Sequence, residues 1–145
     1  MTIVKESPPT YVTLGKDVNL KYLGLGRYDR DWYHYDFVQV KNIDSLNNAI
    51  RIAVMTILNE LNLLEPYDGF GNGAWGVLKD LLTPLNMIKI QQDFITVLQN
   101  MRRIKVINDV KVEVDNKYLN TVNVTYNVTS IDDQLVASGV TLSLV

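Results

Sequence analysis

Cysteine is absent from the 145-residue chain, and His34 is its only histidine. Without cysteine the protein can form no disulfide, carry no thiol nucleophile and build no cysteine-based metal centre. A Ser-His-Asp mechanism would have to use His34, which lies in the tyrosine-rich stretch RYDRDWYHYDF with no nucleophile motif nearby. A zinc site would need this histidine together with carboxylates alone, which is an unusual ligand set. These absences argue against the common hydrolytic and metal-dependent mechanisms.

Excess charge and long apolar runs are also missing. The chain has 14 basic and 16 acidic residues, a net charge of −2, so no overall basic field attracts nucleic acid or an anionic membrane. No run approaches the ~18 apolar residues of a membrane span. The first residues show no apolar segment of a secretory signal. We therefore expect a domain that folds in a cytoplasm and has neither nucleic acid nor membrane as a partner.

Apolar residues recur at three- and four-residue spacing in three stretches, which predicts helices over about 45–58, 74–82 and 85–101. Asp44 or Ser45 can cap the first helix. The buried face of the first helix is predicted to comprise Leu46, Ile50, Ala53 or Val54, Ile57 and Leu61. That of the third is predicted to comprise Met87, Ile90, Phe94, Val97 or Leu98, and Met101.

The apolar pattern changes to strict alternation in the C-terminal third of the chain. Apolar and polar residues alternate over 110–114, 122–128 and 140–144, which predicts three strands of an antiparallel meander with one apolar face. Residues 1–36 contain two adjacent prolines and no sustained period, so we expect an extended arm there. The arm is followed by a single domain over 37–145. The predicted fold class is α+β, with about three helices packed on a three-stranded antiparallel sheet.

Glycines are concentrated between the first two predicted helices. Gly71, Gly73 and Gly76 match G-x-G-x-x-G, but a dinucleotide site needs a strand directly before this motif. Here a helix and a loop precede it, so we expect no cofactor. Asn59 can end the first helix because asparagine tolerates left-handed backbone. The residues expected to shape the loop are Asn59, Pro66, Gly69, Gly71 and Gly73.

Two groups of charged residues have more than one interpretation. Glu60, Glu65 and Asp68 can supply the carboxylate pair of a glycosidase. Alternatively, Glu65 and Asp68 only favour the N-terminus of the next helix. Arg102 and Arg103, at the end of the third predicted helix, can complement its C-terminal carbonyls or form ion pairs with a partner.

Short motifs along residues 36–115 resemble those of one known family. The stretch DFVQVKNIDSLNNAIRI carries Asp36, Leu46, Asn48, Ala49, Ile50 and Arg51. Further along follow Thr56 with Asn59-Glu60, then Pro66, Phe70 and Gly71, and then Leu78, Leu81, Leu82 and Pro84. In this order and spacing they resemble the GPW-like inner baseplate wedge proteins of contractile tails, also found in type VI secretion systems. The family's Glu-Pro-Arg is Met101, Arg102 and Arg103 here, so only the arginine matches.

The resemblance implies a structural role without enzymatic activity. GPW-like proteins contact the larger wedge subunits and offer strands onto which the first sheath ring is built. The implied partners are wedge subunits, the tail sheath subunit and, through residues 1–36, a hub or tube protein. The implied location is the virion tail baseplate. Partner contacts are then expected at Glu60, Arg102 and Arg103, and on a terminal edge strand at Val140, Leu142 and Leu144. The alternatives are a muramidase-like hydrolase that uses Glu60 or Glu65, and a stand-alone adaptor domain.

Overall fold

The protein is an α+β structure in which helices cover one face of an antiparallel sheet. The computed structural model describes residues 2–5, 16–18, 20–24, 27–30, 32–33, 36–37, 39–61 and 69–144. The helices are α1 (Asn42–Met55), α2 (Ala74–Leu78) and α3 (Pro84–Gln99). The strands are β1 (Ile3–Val4), β2 (Lys16–Val18), β3 (Leu20–Gly24), β4 (Arg27–Arg30), β5 (Trp32–Tyr33), β6 (Asp36–Phe37), β7 (Gln39–Lys41), β8 (Ile104–Val114), β9 (Thr121–Ser130) and β10 (Leu135–Ser143).

The main sheet has four strands in the order β1-β8-β9-β10, and every neighbouring pair is antiparallel. The predicted count of three strands is therefore wrong. The additional strand is β1, in which Ile3 lies opposite Ile107 and Val4 opposite Val106. A two-residue strand is too short to show an alternating pattern, so the sequence carried no signal for it.

The first strand of the meander is longer than predicted. The alternation of apolar residues begins at Val110, but β8 begins at Ile104. The pairing with β9 shifts register between Ile104 and Val106 and again between Ile107 and Asp109. Each shift inserts a residue and breaks the period of two, as β-bulges do. The early part of β8 therefore does not resemble a strand in sequence.

Apart from β1, the strands before α1 form three two-stranded antiparallel pairs, namely β2 with β7, β3 with β4, and β5 with β6. Because β2 pairs with β7, a segment of the predicted arm contacts a segment beyond residue 36. The division into an arm over 1–36 and a domain over 37–145 stays a prediction.

Helix α3 follows the prediction closely. Thr83 caps its N-terminus, since the hydroxyl oxygen accepts the main-chain N–H of Asn86 at 3.3 Å, and proline occupies the first position. Its buried residues include Ile90, Phe94, Val97 and Leu98, which confirms the predicted face. Helix α2 is shorter than predicted, because it ends at Leu78 and the chain then turns into the cap of α3.

Helix α1 differs from the prediction at both ends. It begins at Asn42, with Lys41 in the cap position, and neither Asp44 nor Ser45 caps it. It ends at Met55 instead of near residue 58, so Ile57 is not on its buried face and is 52% exposed. The buried positions Leu46, Ile50, Ala53 and Val54 agree with the prediction and join the core beneath the sheet.

Strand β1 also brings a lysine to the end of α3. The main-chain N–H of Lys5 donates to the carbonyl of Lys105 at 3.0 Å, beyond the two paired residues of β1. Its side-chain Nζ donates to the carbonyl oxygen of Leu98 at 3.2 Å and to that of Met101. A cation is favourable at this end of a helix. Burial nevertheless removes water from the ammonium group and lowers the pKa of Lys5 to about 8.

We expect the half-buried Lys5 to make stability depend on pH in the alkaline range. Its pKa is lowered from 10.5 in the unfolded chain to about 8 in the fold, so the unfolded chain binds more protons between these values. The contribution of Lys5 to the free energy of unfolding therefore rises as the pH increases through this window. Denaturant unfolding at several pH values should show this rise in the free energy of unfolding for the wild type and not for Lys5→Met. An NMR titration midpoint of Lys5 at its ordinary value would contradict the prediction.

Candidate functional site

The glycine-rich loop docks onto the end of α1 and forms a joint made of residues 54–60 and 69–75. The helix ends at Met55, and the next residue, Thr56, donates both its N–H and its hydroxyl to the carbonyl of Ile52, at 3.1 and 2.7 Å. Ile57 then forms an isolated parallel bridge with Asn72. Main-chain bonds run from Asn72 N to Thr56 O at 2.8 Å and from Asn59 N to Phe70 O at 3.0 Å. The two segments are therefore held together through their backbones.

Asn72 is the centre of this joint and is completely buried. Its side-chain amide donates to the carbonyl of Val54 at 3.3 Å, and its side-chain oxygen accepts the N–H of Ala74 at 3.0 Å. The Val54 carbonyl also accepts the indole N–H of Trp75 at 3.1 Å. One asparagine thus satisfies a carbonyl at the end of α1 and an amide at the start of α2. Sequence reasoning missed Asn72, because a single asparagine between glycines carries no periodic signal.

The three glycines of the loop differ in how strictly the structure requires glycine at their positions. Gly71 has a φ of 115°, and a Cβ built on it would lie 2.6 Å from the carbonyl oxygen of Ile57. Gly69 has a φ of 74° but open space around it. At Gly73 a Cβ would meet the carboxylate of Asp93 at 3.3 Å, and partial burial raises the pKa of that carboxyl group. Close backbone approach is therefore what requires glycine at Gly71. Pro66, also expected to shape this loop, lies outside the described residues.

Asn59 and Glu60 form a tight turn on the surface of the joint. Asn59 adopts left-handed backbone with a φ of 63°, but it does not end α1, which stops earlier at Met55. The N–H of Glu60 donates to the carbonyl of Ile57 at 3.0 Å, and the Glu60 carboxylate accepts the N–H of Ile57 at 3.2 Å. Glu60 is exposed, and its carboxylate closes a turn. The other two carboxylates considered for a glycosidase, Glu65 and Asp68, and the single histidine, His34, lie outside the described residues.

The arginine pair lies in the turn after α3 and not within its last turn. The helix ends at Gln99, and no basic residue lies in its last turn. Lys5 supplies a cation that binds two main-chain carbonyls there, those of Leu98 and Met101. Arg102 is exposed, whereas Arg103 is half-buried and already engaged within the chain. The main-chain carbonyl of Arg103 accepts the N–H of Ile131 at 3.1 Å.

Strand β10 forms one outer edge of the main sheet. The side chains of Val140 and Leu142, expected at a partner contact, are buried in the core, while Leu144 is 42% exposed. The side chains of Val140 and Leu142 are therefore not available to a partner, which could contact this edge only through main-chain groups that point away from β9. Among the described residues, no strand pairs with the side of β10 that faces away from β9.

The hairpin joining β9 to β10 shows which main-chain groups face outward. Ser130 N donates to Gln134 O at 2.9 Å, so the hydrogen-bonded pairs alternate from this point along the ladder. Ser138 and Val140 then belong to pairs that bond with β9. The N–H and C=O groups of Ala137, Gly139 and Thr141 are directed away from β9, towards the open edge. Ala137 and Gly139 are exposed, so this edge is accessible in the described structure.

The described ranges hold neither a metal cluster nor a membrane span. Within them, no cluster of three or more His, Asp or Glu side chains could hold a metal ion. None of the helices in the described part of the chain is long and apolar enough to cross a membrane.

Comparison with known proteins found no match to this sequence, either among models of protein families or among curated proteins.

Proposed function

We propose that this chain is a structural component of a contractile-tail baseplate, in which the open edge of β10 accepts a strand from the sheath subunit. The observation that carries the proposal is the row of outward-directed main-chain groups at Ala137, Gly139 and Thr141. An extended segment added there gains main-chain hydrogen bonds without any rearrangement of the core. The resemblance of residues 36–115 to GPW-like wedge proteins supplies the biological setting.

In this proposal the two ends of the molecule have different partners. The meander of β8, β9 and β10 faces the first sheath ring, and residues 1–36 act as an arm on a hub or tube protein. The exposed turn at Glu60 and the turn at Arg102 and Arg103 contact the wedge subunits. The protein assembles in the host cytoplasm and is located in the virion tail baseplate. For the muramidase-like alternative, no observation on the described residues favours hydrolysis.

The strand-addition step can be tested without harming the core. Deleting β10 would be uninformative, because its Val136, Val140 and Leu142 side chains are buried. Ala137→Pro instead removes one outward-directed N–H, which β9 does not use, and proline is tolerated on an edge strand in this orientation. We expect Ala137→Pro to fold normally and to yield tubes with baseplates but without sheath, as seen by electron microscopy of particles that carry the variant.

The matched control is Ala137→Val, which keeps the N–H and should support normal sheath assembly. Thr141→Pro removes another outward-directed N–H on the same edge and serves as the second variant if Ala137→Pro fails to fold. Normal sheath on particles carrying a folded proline variant would overturn the proposal. Hydrolysis of peptidoglycan by the purified protein, lost in Glu60→Gln, would favour the enzyme alternative.

A further inference from the structure

The far part of β8, residues 110–114, forms a second open edge at the other side of the sheet. Strand β1 covers β8 only at Val106 and Ile107, with one further main-chain bond from Lys5 to Lys105. In the described part of the chain no strand pairs with residues 110–114 on the side away from β9. We call these five residues the distal β8 edge. It is separate from the β10 edge, so its occupant is independent of the proposed function.

The direction of the main-chain groups on the distal β8 edge follows from two hydrogen bonds. Asp115 N donates to Thr121 O at 2.9 Å, so Glu113 and Lys111 belong to the pairs that bond with β9. The groups of Val110, Val112 and Val114 are then directed outward. The side-chain amide of Gln91 confirms this, because it reaches the Val110 carbonyl from α3 at 2.7 Å. The outward-directed groups of Val112 and Val114 have no such partner among the described residues.

An apolar surface lies beside this edge. Helix α3 packs along β8, and an open groove of about 400 Å³ lies between the two elements, with Met87 and Ile88 in its lining. Ile88 is 54% exposed and Leu85 is 62% exposed, although both belong to a helix whose other face is in the core. A strand added to the distal β8 edge would place its inward side chains near this apolar surface. The two features therefore favour the same kind of occupant, an extended segment with valine-like side chains.

The sequence of the edge itself, Val-Lys-Val-Glu-Val, is self-complementary when two copies run antiparallel. With Val112 opposite Val112 of the second copy, each valine with outward-directed main-chain groups meets another such valine. Lys111 of each copy then lies opposite Glu113 of the other, and opposite charges in this position are favourable. We propose that the protein forms a twofold-symmetric dimer in which two distal β8 edges pair in this register and join the two sheets into one.

Two other kinds of register are less favourable. A shift that places Lys111 opposite Lys111 also places Asp109 opposite Glu113, so both cross-strand pairs repel. A shift by an odd number of residues opposes outward-directed groups with groups already bonded to β9. Among the described residues of one copy, Lys111 forms an exposed ion pair with Asp109 at 3.8 Å, and ion pairs of this kind contribute little. Lys111 can therefore turn to Glu113 of the second copy at small cost.

The hydrogen bond from the Gln91 side chain to the Val110 carbonyl is compatible with the dimer. In the proposed register the Val110 carbonyl would accept the N–H of Val114 from the second copy. A carbonyl oxygen has two lone pairs, so it can accept this bond together with the Gln91 amide. Val112 would bond with its counterpart through both its N–H and its C=O. The twofold axis would also bring Ile88, which lines the groove beside the edge, closer to Ile88 of the second copy.

A charge-swap series tests this dimer by analytical ultracentrifugation of the full chain at increasing concentration. The wild type should show a concentration-dependent dimer. Lys111→Glu and Glu113→Lys each oppose like charges in both pairs, and each alone should weaken dimerisation about tenfold or more. An equimolar mixture of these two variants should recover a dimer, because every pair again joins opposite charges. The double variant Lys111→Glu with Glu113→Lys should dimerise like the wild type.

Further controls show whether a loss of the dimer is specific to the distal β8 edge and is not caused by unfolding. Val112→Pro removes an outward-directed N–H that β9 does not use and should abolish the dimer while thermal unfolding stays cooperative. Ala137→Pro, on the β10 edge, should leave the dimer unchanged. A wild type that stays monomeric at every concentration would overturn the proposal. So would single charge variants that dimerise as tightly as the wild type, or a mixture that shows no recovery.

Discussion

Gly71→Ala is expected to destabilise the protein by about 3 kcal/mol or more, since strained backbone and a steric clash act together. The Gly71 φ of 115° is unfavourable for any residue with a side chain. In addition, the new Cβ would lie 2.6 Å from the carbonyl oxygen of Ile57 and 2.9 Å from the Cα of Leu58. Both atoms are backbone, so they cannot move without opening the joint between α1 and the glycine loop. The melting temperature should fall by roughly 10 °C.

Two other glycines provide matched controls for the same chemical change. Gly69 has a positive φ but nothing within 4 Å, so Gly69→Ala should cost only about 1 kcal/mol of backbone strain. Gly76 lies within α2 with open space around it, and Gly76→Ala should stabilise the protein by up to about 1 kcal/mol. Differential scanning calorimetry of the three variants should give the lowest melting temperature for Gly71→Ala and the highest for Gly76→Ala. If Gly71→Ala behaves like Gly69→Ala, the close approach to Ile57 is not important for stability.

Asn72→Leu is expected to cost about 3 kcal/mol, because it removes two buried hydrogen bonds and leaves polar groups without partners. The N–H of Ala74 loses its acceptor, and the carbonyl of Val54 keeps only the indole of Trp75. Leucine branches at the same position as asparagine and is larger, so the loss is not due to a cavity. Urea unfolding should show the change in midpoint. An exposed asparagine, replaced in Asn116→Ala, should change stability by less than about 0.5 kcal/mol.

Asn72→Asp separates the donor from the acceptor function of this side chain. The carboxylate can still accept the N–H of Ala74, but it opposes the carbonyl oxygen of Val54, to which the asparagine donates. A protonated aspartic acid can donate to that carbonyl, so burial should favour the neutral form. The stability of this variant should therefore be greatest at low pH and should fall as the pH rises through the pKa of the folded state. A deficit that is independent of pH would show that the bond to Val54 contributes little.

The joint shows which part of a site can be predicted from sequence. The helix, the break after it and a left-handed residue at Asn59 follow from local preferences, and the structure has all three. The predicted end of α1 was wrong. The residues after Met55 could continue the helix by local preference, but the carbonyl of Thr56 instead accepts the N–H of Asn72 from the glycine-rich loop, and the helix ends there. The importance of Asn72 could not be predicted, because its partners lie on two different helices.

At the sheet edges, too, local sequence predicts the strand but not its neighbours. The alternation within Val-Lys-Val-Glu-Val predicts a strand with one apolar face, and β8 has that face towards the core. The alternation does not say which edge of that strand remains open. This depends on how far β1 extends along β8, and β1 is a two-residue strand near the other end of the chain. The open edge is therefore a property of the pairing between distant segments.

By itself, the sequence determined the α+β class, the span and buried face of α3, and the inward residues of β9, because these depend on periodic burial within a single element. The lack of cysteine likewise excluded disulfides from composition alone. Only the tertiary structure decided that β1 completes a four-stranded sheet and that Lys5 binds the end of α3, at carbonyls up to 96 residues away. Such contacts form only when whole elements pack against each other, so a pattern within one stretch of sequence does not predict them.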